Sequence, residues 1–179
     1  MGQNENEHRE PRDEAALAEA RQRVYNLFDS LGIEYEAFDH PPIFSAADEV
    51  RKNIKIDALI CKNLFLRNKD KSQYYLFTLP LDKRADLAAL AAALGETRLS
   101  FGDADALWEK LRIRPGSVSL LNIVGSENPD LKFLVDSEVL TVPRIGVHPN
   151  DNAATIVFAP EKLPIIFEHY GVEYAFVDV

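Results

Sequence analysis

Residues 144–155 constrain the fold most, because they place a tight polar turn between two apolar segments. Residues 150–152 read Asn-Asp-Asn, and such side chains bond their own main chain and tolerate left-handed backbone. The apolar run Ala154–Phe158 follows directly. This pattern predicts two strands joined by a sharp loop. His148 lies on that loop, where a rigid scaffold presents side chains to solvent or to a ligand. A turn with an incidental histidine is the alternative interpretation.

The length of 179 residues and an apolar fraction of 46% fit one globular domain. We expect residues 1–12 to form a disordered lead and residues 13–179 to form a single domain. The lead is polar and lacks the apolar core of a signal peptide. No apolar run approaches the length needed to cross a bilayer. These features predict a cytoplasmic protein that does not act at a membrane.

The formal net charge of −9 argues against indiscriminate binding to nucleic acid, although it leaves a local basic patch open. The single cysteine, Cys61, excludes a disulfide within the chain. The four histidines lack metal-ligand spacing, so we expect neither a metal nor another cofactor; they are His8, His40, His148 and His169. Of these, His8 and His169 are predicted to lie at the surface.

Residues 57–67 form the second informative stretch, because apolar and polar positions alternate there. With a period of two, Lys62 shares a face with three aliphatic residues, namely Ile60, Leu64 and Leu66. A lysine at such a position is costly unless its ammonium finds a partner or reaches water. Two interpretations stay open: a snorkelling lysine at a sheet edge, or a cation at the floor of a pocket.

Capping and breaker residues predict the remaining elements. Helices are expected from Asp13 to Gly32, after Asp103, over residues 83–94 with Asp82 as cap, and from Pro160 to Tyr170. Residues 173–177 are expected to close the chain as a strand. A capping-box pattern at residues 45–48 predicts a short helix to about Lys52. Helical spacing places Trp108 in the core, and residues 117–124 are predicted as a strand. The order favours an α/β protein with a mixed, curved sheet flanked by helices over a doubly wound parallel sheet.

Several motifs occur in one order along the chain, from residue 40 to residue 155. They read His-Pro-Pro-Ile-Phe from His40, Cys-Lys-Asn-Leu-Phe-Leu from Cys61, Arg-Leu-Ser-Phe from Arg98, Pro-Gly-Ser-Val from Pro115, and Gly-Val-His-Pro-Asn-Asp-Asn-Ala-Ala-Thr from Gly146. This set resembles the YbaK/ProX deacylase family, the free-standing relatives of the editing domain inserted in bacterial prolyl-tRNA synthetases. The likeness runs from about Arg21 onward.

The resemblance implies a mixed sheet that closes into a barrel-like body with helices around it. It also implies hydrolysis of the ester between a wrong amino acid and tRNA, with alanine on proline tRNA as the usual substrate of the ProX branch. Lys62 matches the lysine that holds a phosphate or the ester carbonyl. His148 is expected to orient the substrate or a water, with general-base action as the lesser role. The substrate's ribose hydroxyl positions the water, so no protein nucleophile is required.

Further site residues are expected from the same motifs. The candidates for substrate contacts are His40, Asn63, Arg98, Gly116, Ser117, Gly146 and Asn150. For Arg98 the alternative is an ordinary surface arginine, and for His40 it is a purely structural role. We also hypothesise that three basic residues contact tRNA phosphates, namely Arg51, Lys52 and Lys55. The chain departs from the family pattern at Arg112 and at residues 122–125, which affects the choice of amino acid more than the chemistry.

Other functions remain as alternatives. The same chemistry on cysteine or serine esters changes only the amino acid. A tRNA- or synthetase-binding module without hydrolysis is an alternative from another class, and the intact Lys62 and residues 146–155 argue against it. A metal-dependent hydrolase would need clustered histidines and carboxylates, which the sequence lacks. The expected partners are mischarged proline tRNA and either prolyl-tRNA synthetase or a translation factor.

Overall fold

A computed structural model of the chain describes residues 12–44, 53–126 and 130–179. Its helices are α1 (Glu14–Leu31), α2 (Leu87–Ala93), α3 (Ala104–Leu111) and α4 (Leu163–Tyr170). Its strands are β1 (Tyr35–Asp39), β2 (Leu59–Asn68), β3 (Tyr74–Pro80), β4 (Leu99–Phe101), β5 (Lys132–Asp136), β6 (Ile145–Val147), β7 (Ala154–Phe158) and β8 (Glu173–Val177). Short 3-10 helices cover Leu120–Ile123, Ser137–Thr141 and Pro160–Lys162.

The eight strands form one mixed sheet, which confirms the predicted fold class. The order is β1-β7-β6-β2-β3-β5-β8, and β4 pairs with β2. The pairs β2–β6, β3–β5 and β5–β8 are parallel, and the remaining pairs are antiparallel. Within the described residues, β2 meets β6 through Leu59 and Ile60 and meets β4 from Leu66 onward. The edge of β2 between these two neighbours is therefore open to other parts of the chain.

The sheet separates two hydrophobic clusters, because successive strand side chains point to opposite faces. Phe133 of β5 packs with α1, α3 and α4, while the next residue, Leu134, packs with α2. Phe28 and Phe167 are fully buried in the larger cluster. Burial of this kind contributes roughly 25 cal/mol per Å² of apolar surface, so the clusters hold the helices against the sheet.

Several predicted boundaries are confirmed. Asp13 caps α1 by accepting the Ala16 N–H at 3.1 Å, and Gly32 ends that helix with φ +65°. Asp103 caps α3, and β8 spans the predicted residues. The strands β6 and β7 are antiparallel neighbours on either side of residues 148–153, as the turn pattern predicts.

Two predicted elements differ from the structure. The helix expected over residues 83–94 is shorter, because Asp86 rather than Asp82 accepts the first free N–H groups, those of Ala88 and Ala89. The strand expected over residues 117–124 is wrong. The Ser119 hydroxyl and the Asn122 amide instead form a capping box that opens the 3-10 helix Leu120–Ile123.

The prediction that Trp108 lies in the core is also wrong. Its side chain is 49% exposed, and α3 buries Ala106, Leu107 and Leu111 instead. The stripe formed by those three residues leaves Trp108 on the outer side of the helix. An apolar residue at helical spacing therefore does not by itself identify the buried face.

Some predictions fall on parts of the chain that the structure does not describe: residues 1–11 of the lead, the short helix over residues 45–52 with Arg51 and Lys52, and His8. Arg12, at the end of the lead, is described and contacts Asp151 and Asn152. Among the described residues, no helix has the length and apolar character to cross a membrane. In the same residues, no three His, Cys, Asp or Glu side chains are grouped to hold a metal ion.

Candidate active site

A cavity of about 470 Å³ lies beside β2, where the strand passes from its β6 neighbour to its β4 neighbour. Its polar wall consists of His40, Lys62, Asn63, His148, Asn152 and Thr155. Its apolar wall includes Ile43, Phe44, Ile54, Ile56, Ile60 and Val147. The cavity therefore combines a few polar groups with a largely aliphatic lining, as small-molecule sites do.

Lys62 is half-buried in this cavity, in the middle of β2. Within residues 12–44, 53–126 and 130–179, its ammonium makes no hydrogen bond or ion pair. Of the two interpretations drawn from the sequence, this placement favours the cation that faces a pocket. A cation beside aliphatic walls interacts with an anion more strongly than one in water does.

His148 follows β6 directly and also lines the cavity. Its Nε2 lies 3.0 Å from the carbonyl oxygen of Val118. A carbonyl only accepts, so Nε2 carries the proton and donates. The other ring nitrogen, Nδ1, is buried and has no hydrogen-bond partner among the described residues. Burial lowers the pKa of His148 to about 4, so the ring is neutral at physiological pH and Nδ1 keeps its lone pair.

Side chains tie the His148 loop to the 3-10 helix Leu120–Ile123. The Ser119 hydroxyl donates to the carbonyl oxygen of His148 at 2.7 Å. The Asn122 amide donates to Asn150 Oδ1 at 2.9 Å. Asn150 adopts left-handed backbone with φ +62°, and its own amide donates to the carbonyl oxygens of Leu121 and Val124 at 2.9 and 3.2 Å. The Asn150 side chain is thus occupied by this helix and does not line the cavity.

Asn63, the neighbour of Lys62, links β2 to the same 3-10 helix. Its Oδ1 accepts the Thr78 hydroxyl at 2.8 Å and the Leu120 N–H at 3.1 Å. Asn63 lines the cavity, but its acceptor oxygen is already used by these two donors. The strand of Lys62 and the loop of His148 are consequently both bonded to Leu120–Ile123.

The segment around His40 forms another wall. His40 Nδ1 lies 2.9 Å from the Pro41 carbonyl oxygen, and Nε2 lies 2.9 Å from the Thr155 hydroxyl. The Ile43 N–H donates to the Asn152 carbonyl at 2.9 Å, and the Asn152 amide donates back to the Ile43 carbonyl at 2.9 Å. His40 therefore lies at the cavity as the sequence indicates, with both ring nitrogens engaged.

Gly146 of β6 lies between β2 and β7 and contributes to the cavity wall. A Cβ at this position would lie 2.6 Å from Ile60 Cδ1 and 3.1 Å from Thr155 Cγ2. Both of those side chains line the cavity as well. The absence of a side chain at Gly146 therefore preserves space next to the cavity.

The remaining candidates are placed differently. Gly116 lines the cavity, whereas Ser117 does not, and the Ser117 N–H already donates to the Arg114 carbonyl at 3.2 Å. Arg98 is exposed and precedes β4, whose Leu99 pairs with Asn68 at the far end of β2. Six residues of strand separate Asn68 from Lys62, which corresponds to about 20 Å. Arg98 is thus remote from the cavity.

The buried carboxylate of Asp151 stabilises the loop that carries His148, and it was not identified as a site residue from the sequence. Asp151 is 3% exposed and accepts Arg12 Nη2 at 2.8 Å and the Ala153 N–H at 3.0 Å. Burial alone would raise the pKa of Asp151, but the Ala153 N–H bond and the Arg12 guanidinium hold it below its ordinary value. The signal in the sequence was an acidic residue between two asparagines, which a turn explains equally well.

Among the described residues, the geometry brings the Lys62 ammonium and the neutral His148 imidazole together in a site with a mostly aliphatic lining. A cation can bind a phosphate or stabilise a developing oxyanion, and a bare imidazole nitrogen can accept a hydrogen bond from a substrate or a water. Burial raises the pKa of Cys61, which also borders the cavity, to about 12, so its thiol is a poor nucleophile at neutral pH. The site suits hydrolysis by a bound water.

Comparison with known proteins identifies the class. The profile of the aminoacyl-tRNA editing domain family matches residues 40–164, which contain the site residues described above. The chain therefore belongs to this family. This confirms the resemblance found in the sequence and the class of enzyme that it implies, an aminoacyl-tRNA deacylase.

Two named relatives and one solved structure are similar to this chain over most of its length. The chain is 33% identical over 153 residues to the prolyl-tRNA editing protein ProX of Acetoanaerobium sticklandii, covering 86% of this chain and 93% of that protein. It is 31% identical over 160 residues to the mouse (Mus musculus) prolyl-tRNA synthetase associated domain-containing protein 1, covering 87% and 94%. Its fold matches the crystal structure of a trans-editing enzyme proposed for prolyl-tRNA synthetase, with a TM-score of 0.65, 18% identity and coverage of 89% and 97%.

Proposed function

We propose that this protein hydrolyses the ester of mischarged proline tRNA in the cytoplasm, and that its preferred substrate is Ala-tRNA(Pro). A relative at 33% identity is a prolyl-tRNA editing protein, and coverage extends over nearly the whole of both chains. A synthetase pocket shaped for proline discriminates weakly against a smaller apolar amino acid, since each missing methylene is worth only about 1–3 kcal/mol. A second, hydrolytic site then has to remove the wrong product.

The observation that carries this proposal is the half-buried Lys62 ammonium beside the aliphatic wall of the cavity. In hydrolysis, the oxygen of a water attacks the ester carbonyl carbon and negative charge develops on the carbonyl oxygen. The carbon–oxygen bond to the ribose then breaks, and the ribose oxygen leaves as a hydroxyl. A fixed cation next to the developing charge, or next to the terminal phosphate, lowers the barrier because the aliphatic wall excludes water.

His148 acts in this scheme by orientation. A base with a pKa of about 4 removes a proton from water poorly near pH 7, so general-base action is the weaker role. Its Nδ1 is buried and without a partner among the described residues, and in this scheme it accepts a hydrogen bond from the substrate or from the attacking water when substrate binding makes it accessible. The ribose hydroxyl next to the ester completes the positioning of that water.

Selection among amino acids is assigned to the aliphatic wall. Ile43, Ile54 and Ile60 border the cavity, and their bulk favours a methyl side chain over the proline ring. Cysteine and serine esters are the second candidates, because their side chains are nearly as small. Steric exclusion of this kind removes a substrate that is too large without requiring any further polar contact.

We further propose that tRNA phosphates contact the basic residues beside the cavity. Lys55 is exposed between Ile54 and Ile56, and both of these neighbours line the cavity. Arg51 and Lys52 precede it in the sequence. Replacing all three by alanine should weaken tRNA binding and flatten its salt dependence. An unchanged affinity and salt slope would remove this part of the proposal. We also propose that prolyl-tRNA synthetase or a translation factor delivers the tRNA to this protein.

The test is deacylation of Ala-, Cys-, Ser- and Pro-tRNA(Pro) by the wild type and by Lys62→Ala. We expect the alanyl ester to be hydrolysed fastest and the prolyl ester to persist. Loss of the Lys62 ammonium should lower kcat by about 10²–10³. Lys132→Ala is the matched control, because Lys132 pairs at 2.7 Å with the exposed Glu173 away from the cavity lining.

The outcomes separate the candidates. Fast loss of cysteinyl or seryl ester in place of alanyl ester would keep the chemistry and change the amino acid. No hydrolysis of any ester, together with tight tRNA binding, would favour a non-catalytic binding module. Equal rates for Lys62→Ala and Lys132→Ala would overturn the role of Lys62.

A further inference from the structure

Trp108 is the sole tryptophan of the chain, and it is exposed on α3 instead of buried. The carbon Cζ of Arg114 lies 5.9 Å from the centre of its ring, within the range of a cation–π contact. Arg112, four residues after Trp108, donates its N–H to the Trp108 carbonyl at 3.0 Å and ends the helix. An exposed indole thus lies beside the guanidinium of Arg114, and the backbone of a second arginine, Arg112, is bonded to the same residue.

The backbone at Arg112 adds a second observation. Arg112 adopts left-handed backbone with φ +57°, a conformation that glycine takes at lower cost. Its side chain is exposed and has no ion pair within the part of the chain that the structure describes. A disfavoured backbone at a charged, exposed residue is a reason to look for a function of its side chain.

The Arg114 end of this surface lies close to the cavity in the chain. Arg114 is two residues before Gly116, and Gly116 lines the cavity wall. Two residues span at most about 7 Å of extended chain, so the arginine–indole surface begins close to the cavity. A substrate chain that leaves the cavity past Gly116 would meet Arg114 and Trp108 next.

We propose that Trp108, Arg112 and Arg114 form a stacking platform for the single-stranded 3′ end of the tRNA, which rests on the proposed function. Unpaired bases stack on aromatic rings and arginine planes, and arginines pair with the phosphates between them. The chain as a whole has a net charge of −9 and repels polyanions, so a ligand has to be attracted locally. A surface of one aromatic ring and two arginines suits a ligand that carries both bases and phosphates, as an RNA strand does. The exposed carboxylates Asp105 and Glu109 on α3 repel phosphates, so we expect the strand to pass the C-terminal end of the helix.

Binding is tested through the fluorescence of Trp108, since no other tryptophan contributes. The intact protein is titrated with uncharged proline tRNA and with a short single-stranded RNA ending in CCA. We expect saturable quenching by both RNAs and none by heparin, a polyanion without bases. Unchanged fluorescence at RNA concentrations that saturate binding, or equal quenching by heparin, would overturn the platform. This titration does not depend on hydrolysis and is therefore independent of the proposed function.

Kinetics supply the second test, with alanyl-tRNA and alanyl-adenosine as the long and the short substrate. Trp108→Ala should raise KM for the tRNA by about 5- to 150-fold, so that the preference for tRNA over alanyl-adenosine falls by the same factor. Trp108→Phe should recover most of that preference. Ile165→Ala, which shortens an exposed apolar side chain of α4, is the control and should leave both substrates unaffected.

Arg112→Gly separates binding from folding, because glycine suits the left-handed backbone. The variant should be at least as stable as the wild type, while the salt slope of tRNA binding should fall by about 0.7 for one lost phosphate contact. An unchanged preference in Trp108→Ala, with the wild type active on both substrates, would contradict the platform and leave the proposed function intact. An inactive wild type with quenched Trp108 would contradict the proposed function alone.

Discussion

The Nε2 of His148 lies 3.0 Å from the carbonyl oxygen of Val118, and this contact fixes which ring nitrogen carries the proton. Burial disfavours the charged form and lowers the pKa of the native ring to about 4, so the ring stays neutral above that pH. In the unfolded chain the same ring takes up a proton near pH 6.5. Between these two values the unfolded state binds more protons, so stability falls as the pH falls.

We therefore predict that His148→Gln, which keeps a donor for Val118, removes this pH dependence. The wild type should lose up to about 1.4 kcal/mol of unfolding free energy per pH unit, relative to the variant, between pH 6.5 and pH 4. Urea denaturation of both proteins at pH 7.5, 6.5, 5.5 and 4.5 measures the difference. Parallel curves over that window would show that His148 does not titrate as a buried neutral ring.

Asn150 is predicted to hold the His148 loop rather than the substrate. Asn150→Ala removes the donor of the Val124 carbonyl oxygen, leaves the Leu121 carbonyl oxygen with the Val124 N–H alone, and keeps the unfavourable left-handed backbone. Each unpaired buried group costs about 1–3 kcal/mol. Asn150→Gly should recover about 1 kcal/mol, since glycine relieves only the backbone term. Chemical denaturation measures both variants.

The control for this series is Asn26→Ala on α1. Asn26 accepts a hydrogen bond from Gln22 at an exposed position, so its replacement should change stability little. If the Asn150→Ala variant unfolded at the same denaturant concentration as Asn26→Ala, the bonds to the 3-10 helix would contribute nothing measurable.

Sequence patterns predicted this fold best where local chemistry decides the structure. Asp13 and Gly32 bound α1 because a capping carboxylate and a left-handed glycine act over a few residues. The strand predicted over residues 117–124 was wrong, because the apolar alternation that suggested a strand competes there with the capping box of Ser119 and Asn122. The core position predicted for Trp108 was wrong, because only the packed structure shows which side of α3 faces the core.

The site could be predicted in part for the same reason. Lys62 and His148 were identifiable as unusual residues on regular or tight elements, and the structure brings both to one cavity. The partners of Asn63 and Asn150 could not be read from the sequence, because Asn63 bonds residues 15 and 57 positions away and Asn150 bonds residues 26 to 29 positions away. Arg98 was predicted as a site residue because it belongs to a motif, but its place in that motif gave no information about its distance from Lys62.

The Cys61 thiol is predicted to react slowly with alkylating reagents in the folded protein. Burial raises its pKa from the ordinary 9.0 to about 12, so the thiolate fraction at pH 8 falls by about 10³. The rate of iodoacetamide labelling should be lower by a similar factor than in urea, where the thiol is exposed. Rapid labelling of the native protein at pH 8 would mean that the thiol is ionised within the cavity.

The ion pair between Arg12 and Asp151 is predicted to stabilise the loop that carries His148. Arg12→Ala leaves a carboxylate that is 3% exposed with only the more distant guanidinium of Arg21, at 3.8 Å, which should cost about 1–3 kcal/mol. The cost should shrink in an Asp151→Asn background, as a double-mutant cycle by thermal or urea denaturation would show. Glu14→Gln is the control, because Glu14 pairs with Arg12 at a largely exposed position. Additive losses in the cycle would mean that the pair is not coupled.

Gly146 is predicted to accept no side chain while Ile60 keeps its length. In Gly146→Ala the new methyl group would lie 2.6 Å from Ile60 Cδ1, so either that side chain or β6 has to shift. Overpacking of this kind costs about 1–3 kcal/mol. Ile60→Val removes the atom in question, and the double variant Gly146→Ala, Ile60→Val should recover most of the stability. The melting temperatures of the four proteins test this. If Ile60→Val gave no recovery, the contact with Thr155 Cγ2 at 3.1 Å would be the limiting one, and Thr155→Ser, which lacks that methyl group, should then rescue Gly146→Ala instead.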